Sequence, residues 1–265
     1  MRTTSSDPGR SVLEVDTDTT AQQRAKVTVG STWTTQVVEL PVGQREIQRM
    51  PRFGLPQFTS KRIAVPDHPT ITIGGAVAQP CTITLADLAG LPRRDQVSDF
   101  HCVTTWTKRG VHWSGFRLRD VYDALIVPRA RPGSGAMAGY VVVSGLDGMR
   151  AGLPLADALA DDVLLADTMD GVPLSHQHGA PLRLVAPAHY GYKSIKHVSA
   201  IDIVDRDFNQ GFTGFAQHHR GRVAYEERGR WGPNWLLRYV YRLMIPAGVW
   251  LARVEPDQRQ PPRGG

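Results

Sequence analysis

Short apolar runs interrupted by glycine and proline are the feature that most constrains the fold of this 265-residue chain. Residues 140–143 form such a run, which ends at Gly145 and is typical of a buried strand. Residues 155–160 instead have the composition of a short helix. Because strands and short helices are mixed along the chain and do not alternate strictly, we predict an α+β architecture with mixed sheets and not a doubly wound fold.

Several local signals predict where individual elements begin and end. Thr84 is a suitable N-cap for a helix over residues 86–89, which the glycine at position 90 would terminate. Residues 115–125 carry apolar side chains at helical spacing and predict a second helix. Asp170–Gly171 is a strong turn signal between two strands.

The composition indicates a soluble globular protein that binds anions. Hydrophobic residues make up 41% and charged residues 21% of the chain, which is sufficient for a sizeable core. The net charge of +6 suits an anionic ligand. Its lysines and arginines are scattered, without a nucleic-acid-binding motif, so we predict no nucleic-acid partner.

The compartment is predicted from the cysteines and the first residues. Cys81 and Cys102 are the two cysteines, and two do not make a disulfide framework, which favours a reducing compartment. Residues 1–10 contain no twin-arginine pair and are not followed by an apolar run of signal-peptide length. We therefore expect a cytoplasmic protein.

Changes in composition divide the chain into three parts. We predict an N-terminal tail with short strands over residues 1–49, a central domain over 50–205 and a C-terminal extension over 206–265. The extension contains an amphipathic helix at 235–245, which Pro246 is expected to end or kink. We expect this helix to dock onto the parent domain or a second subunit; attachment to a membrane surface or contact with an electron-transfer partner are the alternatives.

Residues 99–115 place Cys102 in a setting that favours an ionised thiol. His101 precedes the cysteine, and Lys108 and Arg109 follow it. A nearby cation or metal lowers the pKa of a thiol, and the thiolate attacks electrophiles or binds soft metals. Since a lone cysteine is more often a buried apolar residue, this stretch alone does not decide its role.

A second stretch, residues 178–197, predicts an anion-binding site. Residues 182–185 alternate as a strand, and a loop follows it beyond Pro187. Arg183, Lys193 and Lys196 lie close in sequence to hydroxyl side chains and to glycine. Since these side chains donate hydrogen bonds to phosphate and glycine allows close approach of the backbone, we expect an anionic ligand here.

Together the two stretches resemble the sulfite oxidase superfamily of molybdopterin enzymes, and within it the branch that contains the catalytic subunit of the bacterial methionine sulfoxide reductase. The likeness covers roughly residues 50–205 in collinear order. The motifs that carry it are residues 71–77, 85–92, 100–106, 112–115, 164–166, 170–174, 178–185 and 190–197. The resemblance implies a mixed-sheet, sulfite-oxidase-type fold and a molybdenum-dependent oxidoreductase domain over residues 50–205.

The resemblance also implies a Mo-molybdopterin cofactor whose metal is bound by the sulfur of Cys102. His101 adjoins this cysteine in the sequence and is expected to line the active site; a packed histidine bonded to the backbone is the alternative. Soft sulfur donors suit this metal and leave an exchangeable oxygen for transfer. His178 stands where reductase-type relatives have an amide side chain. For Lys193 a solvated side chain is an equal alternative. The residues expected to contact the cofactor are Arg52, Phe53, Cys102, Ser144, His178, Arg183, Lys193, Ser194, Ile195 and Lys196.

The small-molecule substrate is predicted from one departure from the family. Sulfite oxidases proper have arginines close after the metal-binding cysteine, whereas this chain has Val103–Thr107 before Lys108. This difference favours an S-oxide or an N-oxide over sulfite. The chain contains no Cys-x-x-Cys-His haem motif, so a separate electron carrier is expected.

Two other functions stay open on the sequence. In the first, the chain is a cysteine hydrolase or transferase in which Cys102 attacks and His189 or His101 is the base. In the second, it is a non-catalytic pterin-binding domain. Spacing along the chain does not exclude a cysteine nucleophile, because the base needs to be adjacent only in space.

Overall fold

The structure is a computed structural model that describes residues 39–50, 63–132, 139–208 and 217–253, with side chains as far as 243. These ranges fall within one compact unit, residues 39–265. They form two sheets and few helices. The predicted α+β class with mixed sheets is confirmed, whereas the predicted domain boundaries at 49 and 205 stay a prediction.

The strands in the described ranges are short apart from one long hairpin. They are β1 Arg45–Glu46, β2 Thr70–Gly75, β3 Cys81–Thr84, β4 Arg93–Cys102, β5 Trp106–Arg117, β6 Tyr140–Gly145, β7 Arg150–Pro154, β8 Leu164–Met169, β9 Val172–Pro173, β10 Arg183–Val185 and β11 Val198–Val204. The helices are α1 Leu85–Ala89, α2 Leu118–Val121, α3 Val127–Ala130, α4 Leu155–Ala158 and α5 Asn234–Arg253. A π-helical turn, Tyr122–Ile126, joins α2 to α3, and His176–His178 and Gly191–Lys193 are 3-10 turns.

The first sheet is built around β5. Its order is β1-β5-β8-β10, with β4 paired to β5 and β9 paired to β8. Strand β1 runs parallel to β5, while β4 and β8 run antiparallel to it. The hairpin between β4 and β5 turns immediately after Cys102, with Thr105 in the left-handed region at φ 75°. The fold therefore places this cysteine at the end of a strand, in a tight turn.

The second sheet has the order β3-β2-β11-β6-β7. Strand β11 is parallel to β2 and antiparallel to β6, which makes this sheet mixed as well. The main core contains apolar side chains from both sheets, such as Ile71, Ile201 and Leu184. A smaller cluster on the first sheet contains Cys102 together with Phe100.

Local signals predicted several elements correctly and one boundary wrongly. Thr84 caps α1 through a reciprocal capping box with Asp87, and Asp170–Gly171 forms the turn between β8 and β9. The predicted helix over 115–125, however, begins only at Leu118. A Cβ atom at Gly115 would lie 2.2 Å from the carbonyl oxygen of Leu165. This close approach of two backbones keeps Gly115 in β5.

The predicted C-terminal helix is present as α5, but Pro246 does not end it. A proline removes one backbone hydrogen bond, and the helix continues on both sides of it to Arg253. Tyr241 on its inner face is buried, whereas Trp235, Tyr239 and Leu243 are exposed in the single chain. No helix in the described ranges is long and apolar enough to cross a membrane.

Candidate cofactor site

Cys102 is held in its turn by neutral hydrogen-bonding groups. Only 6% of the residue is exposed, and its Sγ lies 3.1 Å from the Oγ1 of Thr104. The Nε2 of Gln44 donates to the carbonyl oxygen of Cys102 over 3.2 Å. The sulfur therefore has a fixed position but no adjacent carboxylate or imidazole among the hydrogen bonds of the described residues.

The expectation that Cys102 is ionised by its surroundings is wrong for the protein without a bound metal. Burial raises the pKa of this thiol to about 11, because the charged form is poorly solvated. Hydrogen bonds to Thr104 and the charge of Arg228 lower the pKa only in part. A bound metal ion would reverse this preference, because it deprotonates a coordinating thiol outright.

His101 has a defined tautomer. Its Nδ1 lies 2.9 Å from the Oγ1 of Thr107, whose hydroxyl donates to the Oε1 of Gln44 over 3.1 Å. Since that hydroxyl proton is already used, the hydrogen of this contact belongs to Nδ1, and Nε2 is left as an acceptor. Burial lowers the pKa of His101, so the ring is neutral near pH 7.

Arg183 is a buried cation that no carboxylate of the described residues neutralises. It is 2% exposed on β10, and its guanidinium carbon lies 4.8 Å and 5.5 Å from the ring centroids of Phe100 and Trp113. Its Nη1 donates to the carbonyl oxygen of His178 over 3.3 Å. In the part of the chain that the structure describes, no carboxylate pairs with Arg183. Burial lowers its pKa to about 10, which still leaves it charged.

Two buried donor atoms, one on Arg183 and one on the neighbouring Trp113, fit a molybdopterin. The Nε of Arg183 and the indole Nε1 of Trp113 are both buried and have no hydrogen-bond partner within the described residues. An unsatisfied buried donor is costly, so such groups indicate a ligand that supplies acceptors. The phosphate and pterin ring of molybdopterin carry negative charge and acceptor atoms. The residues present therefore fit this cofactor.

His178 is neutral and borders a cavity. Burial lowers its pKa to about 4, and the charges of Arg183 and Lys196 act in the same direction. The cavity has a volume of about 310 Å³. It is lined by Gln48, Arg49, Met50, Lys108, Val111, Met169, Asp170 and His178. A neutral imidazole keeps one donor and one acceptor, so it can replace the amide of reductase-type relatives.

We predict that His178→Gln will make the free energy of unfolding of the metal-free protein fall less steeply as the pH is lowered. The pKa of this imidazole is about 4 when folded and 6.5 when unfolded, so the unfolded state binds the proton first as the pH falls. Stability is then complete above the unfolded pKa and is lost from there down towards the folded pKa. Urea titrations between about pH 7 and about pH 4 measure this loss.

Other buried histidines, among them His197 and His189, also have a lowered pKa, so part of the acid loss will remain in the variant. The matched control is His112→Gln, which changes an exposed imidazole on β5. If the free energy of unfolding of His178→Gln falls as steeply with decreasing pH as that of the wild type, the assignment of a neutral His178 is contradicted.

Lys193 is buried and links two backbone segments through its ammonium group. Its Nζ donates to the carbonyl oxygens of Gly152, at 2.5 Å, and His219, at 2.8 Å. Burial lowers its pKa to about 7. The alternative of a solvated side chain is wrong, because the residue is only 1% exposed. A direct contact of Lys193 with the cofactor stays a prediction.

The segment after Lys193 packs against the turn that carries His178. Ser194 is buried, and its Oγ accepts from the backbone nitrogen of Ala186 over 3.3 Å. Ile195 belongs to the main core, and Lys196 donates from Nζ to the carbonyl oxygen of Gln177 over 2.7 Å. Because the charge of Lys196 also acts on His178, the two predicted contacts are near each other in space.

Three predicted cofactor contacts remain, Ser144, Arg52 and Phe53. No interaction of the described residues joins them to Arg183 or Cys102. Ser144 lies on β6 of the second sheet, and its Oγ accepts from the Nε of Arg150 over 3.1 Å. The glycine that follows it packs against the carbonyl oxygen of Lys196, so the end of β6 approaches the anion-binding segment. Arg52 and Phe53 lie outside the described residues.

The structure adds Arg228, which the sequence did not predict. This residue is fully buried, and it donates to the carbonyl oxygens of Val103, at 2.7 Å, and Val42, at 3.1 Å. Its guanidinium also stacks over the ring of Tyr190. Arg228 occurs in a polar segment with mixed charges, a composition typical of solvated loops, so no sequence signal pointed to it.

The hydrogen bonds do not form a cysteine–histidine dyad. His101 points its Nδ1 at Thr107, and the Nε2 of His189 lies 3.3 Å from Asp157, which also binds Arg220. Among the residues with described positions, no histidine ring is hydrogen-bonded to the thiol of Cys102. The same residues contain no group of three His, Cys, Asp or Glu side chains that could hold a metal.

Comparison with known proteins adds a family and several relatives. The family model described as "Oxidoreductase molybdopterin binding domain" matches residues 58–213. The chain is 32% identical over 161 residues to the uncharacterized oxidoreductase YuiH of Bacillus subtilis, a match that covers 61% of this chain and 78% of that protein.

Two reductase subunits and one solved structure are also similar. The protein-methionine-sulfoxide reductase catalytic subunit MsrP of Campylobacter jejuni is 27% identical over 62% of this chain and 59% of its own length. The MsrP of Xanthomonas axonopodis is 30% identical over 52% of this chain and 45% of its own length. The match thus spans about half the length of these two reductase subunits. The sulfane dehydrogenase SoxCD of Paracoccus pantotrophus aligns with 68% of this chain and 57% of its own, with 19% identity and a TM-score of 0.45.

Proposed function

Because this chain belongs to the family of oxidoreductases with a molybdopterin-binding domain, we propose that it catalyses two-electron oxygen-atom transfer at a molybdenum bound by Cys102. The cofactor of this family is Mo-molybdopterin. The observation that carries the proposal is Arg183, which is buried, stacks on Phe100 and Trp113 and pairs with no carboxylate among the described residues. Cys102 belongs to the same apolar cluster as these two rings, so an anionic ligand bound at Arg183 would approach its sulfur.

When bound, the cofactor supplies the two-electron redox change and an exchangeable oxygen, and the protein supplies binding and orientation. Cys102 contributes a soft sulfur ligand from a turn that backbone and hydroxyl groups hold in place. Arg183 holds the anionic end of the cofactor, and neutral His178 offers it a hydrogen bond. The neutral His101 keeps an acceptor at Nε2, and we propose that this atom takes up and releases a proton during turnover.

We propose an S-oxide or N-oxide as the substrate class. No arginine occurs between Cys102 and Lys108, where the residues are one valine, three threonines and one tryptophan. The similarity to two reductases of protein methionine sulfoxide supports this class without defining the substrate. Reduction of a sulfoxide consumes two electrons and two protons and releases a sulfide and water. A separate carrier would deliver the electrons.

The cysteine-nucleophile alternative receives less support. Burial raises the pKa of the Cys102 thiol, and the imidazoles of His101 and His189, the two candidate bases, are bonded to Thr107 and Asp157. A nucleophilic cysteine needs the reverse, a lowered pKa and an adjacent base. This alternative predicts turnover without metal, and the non-catalytic alternative predicts bound cofactor without turnover.

The proposal is tested on protein purified from a host that makes molybdopterin. We expect near-stoichiometric molybdenum and released pterin, together with reduction of methionine sulfoxide or trimethylamine N-oxide by an artificial electron donor. Efficient oxidation of sulfite would overturn the proposed substrate class. Protein that contains neither metal nor pterin would overturn the proposed function as a whole.

A reducing compartment is also proposed, because two cysteines do not make a disulfide framework. Fractionation of cells that express the full chain tests the cytoplasmic assignment. Contact of a carrier, a second subunit or a membrane surface with residues 235–245 stays a prediction. The exposed side chains of Trp235, Tyr239 and Leu243 form the face where such a contact would occur.

A further inference from the structure

The C-terminal segment brings a buried positive charge next to the predicted metal ligand. Arg228 lies beyond the region that the family model matches, which ends at residue 213. Its Nη1 donates over 2.7 Å to the carbonyl oxygen of Val103, the residue directly after Cys102. Tyr241 on α5 is buried in the same region, within electrostatic range of both Arg228 and Cys102. Two residues from outside the matched region therefore lie near the cysteine.

The charge of Arg228 is only partly neutralised. Its Nη2 lies 3.5 Å from Glu226, and the other carboxylate oxygen of Glu226 lies 3.3 Å from Arg238. Two guanidiniums thus share one carboxylate, which leaves this cluster with one net positive charge. Arg228 is fully buried, so solvent screens its charge weakly. Its buried Nε has no partner within the described residues.

We propose that Arg228 is the counter-charge of the metal-bound Cys102 sulfur and raises the reduction potential of the metal. This inference rests on the proposed function, because it requires molybdenum on Cys102. A fixed positive charge close to a metal centre stabilises its more electron-rich, reduced state. Arg228 would act through the sulfur and its backbone turn, which makes it a positioning residue that does not touch the substrate.

A purely structural role for Arg228 is the competing explanation, because its two carbonyl contacts also join the Val42 and Val103 backbones. Charge and backbone contacts can be separated by mutation. Arg228→Gln removes the charge, and Arg228→Lys retains it with fewer donors. Glu226→Gln removes the neutralising carboxylate and leaves both carbonyl contacts of Arg228 intact.

The test is an EPR-monitored redox titration of the molybdenum in the loaded full-length protein. We expect a lower midpoint potential in Arg228→Gln, a value close to wild type in Arg228→Lys and a higher one in Glu226→Gln. The matched control is Arg222→Gln, in the same segment, whose guanidinium pairs with Glu227; it should not shift the potential.

Unchanged potentials, or shifts of Arg228→Gln and Glu226→Gln in the same direction, would overturn the inference. Should Arg228→Gln fail to fold, Glu226→Gln decides alone: an upward shift supports the counter-charge, and no shift or a downward shift refutes it. Wild-type protein without bound molybdenum would overturn the proposed function and this inference with it. If the wild type binds molybdenum but the variants leave its midpoint potential unchanged, this inference alone is overturned.

Discussion

Cys102→Ser is expected to abolish the oxygen-atom transfer activity and to remove or alter the molybdenum signal, while the protein stays folded. Serine has nearly the same shape, but its harder oxygen is a poor replacement for a soft sulfur ligand. Even the loss of a residue that only hydrogen-bonds to a metal ligand typically lowers metal affinity or activity by about 10–100-fold. We therefore expect turnover to fall by at least about 100-fold. Metal content, the EPR spectrum and steady-state rates measure the effect.

The chain offers a matched control in its other cysteine. Cys81 is a free, partly buried thiol on β3 of the second sheet. Cys81→Ser should retain full metal content, spectrum and turnover. A Cys102→Ser protein with wild-type molybdenum and an unchanged spectrum would show that the sulfur is not a ligand. Turnover without metal that only Cys102→Ser abolishes would instead support a cysteine nucleophile.

The sequence predicted those elements whose cause is local. Thr84 caps α1 with its own side chain, and Asp170–Gly171 turns the chain with two residues of positive φ. The resemblance likewise predicts Arg183 and Cys102 as site residues, because their motifs are continuous in the chain. The structure adds what no motif states: Arg183 is buried, and no carboxylate of the described residues pairs with it.

What the sequence could not predict depends on contacts between distant segments. Gly115 stays in β5 because the backbone of Leu165 lies against it, and this neighbour is about fifty residues away along the chain. Arg228 likewise contacts Val42 and Val103, which belong to two distant segments. The Cys102 thiol was predicted to be ionised from its sequence neighbours. Burial, which depends on the whole fold, raises its pKa instead.

Arg183→Met is expected to lower cofactor retention by at least about tenfold, since hydrogen bonds to a charged group contribute about 1.5–3 kcal/mol. The stability of the metal-free protein should hardly change. Burial lowers the pKa of Arg183 from 12.5 to about 10. This shift corresponds to a cost of about 3 kcal/mol for keeping the charge buried. Methionine removes that cost but also the stacking of the cation on Phe100 and Trp113, an effect of similar size.

The two measurements together separate ligand binding from a structural role. The free energy of unfolding of metal-free Arg183→Met, from urea titration, should lie within about 1 kcal/mol of wild type. The matched control is Arg93→Met, whose guanidinium also lies over a ring, that of Phe116, but is half exposed and paired with Asp167. It should retain pterin and molybdenum. If Arg183→Met instead keeps its cofactor and loses several kcal/mol of stability, then Arg183 is a packing residue, and the anionic ligand must bind elsewhere.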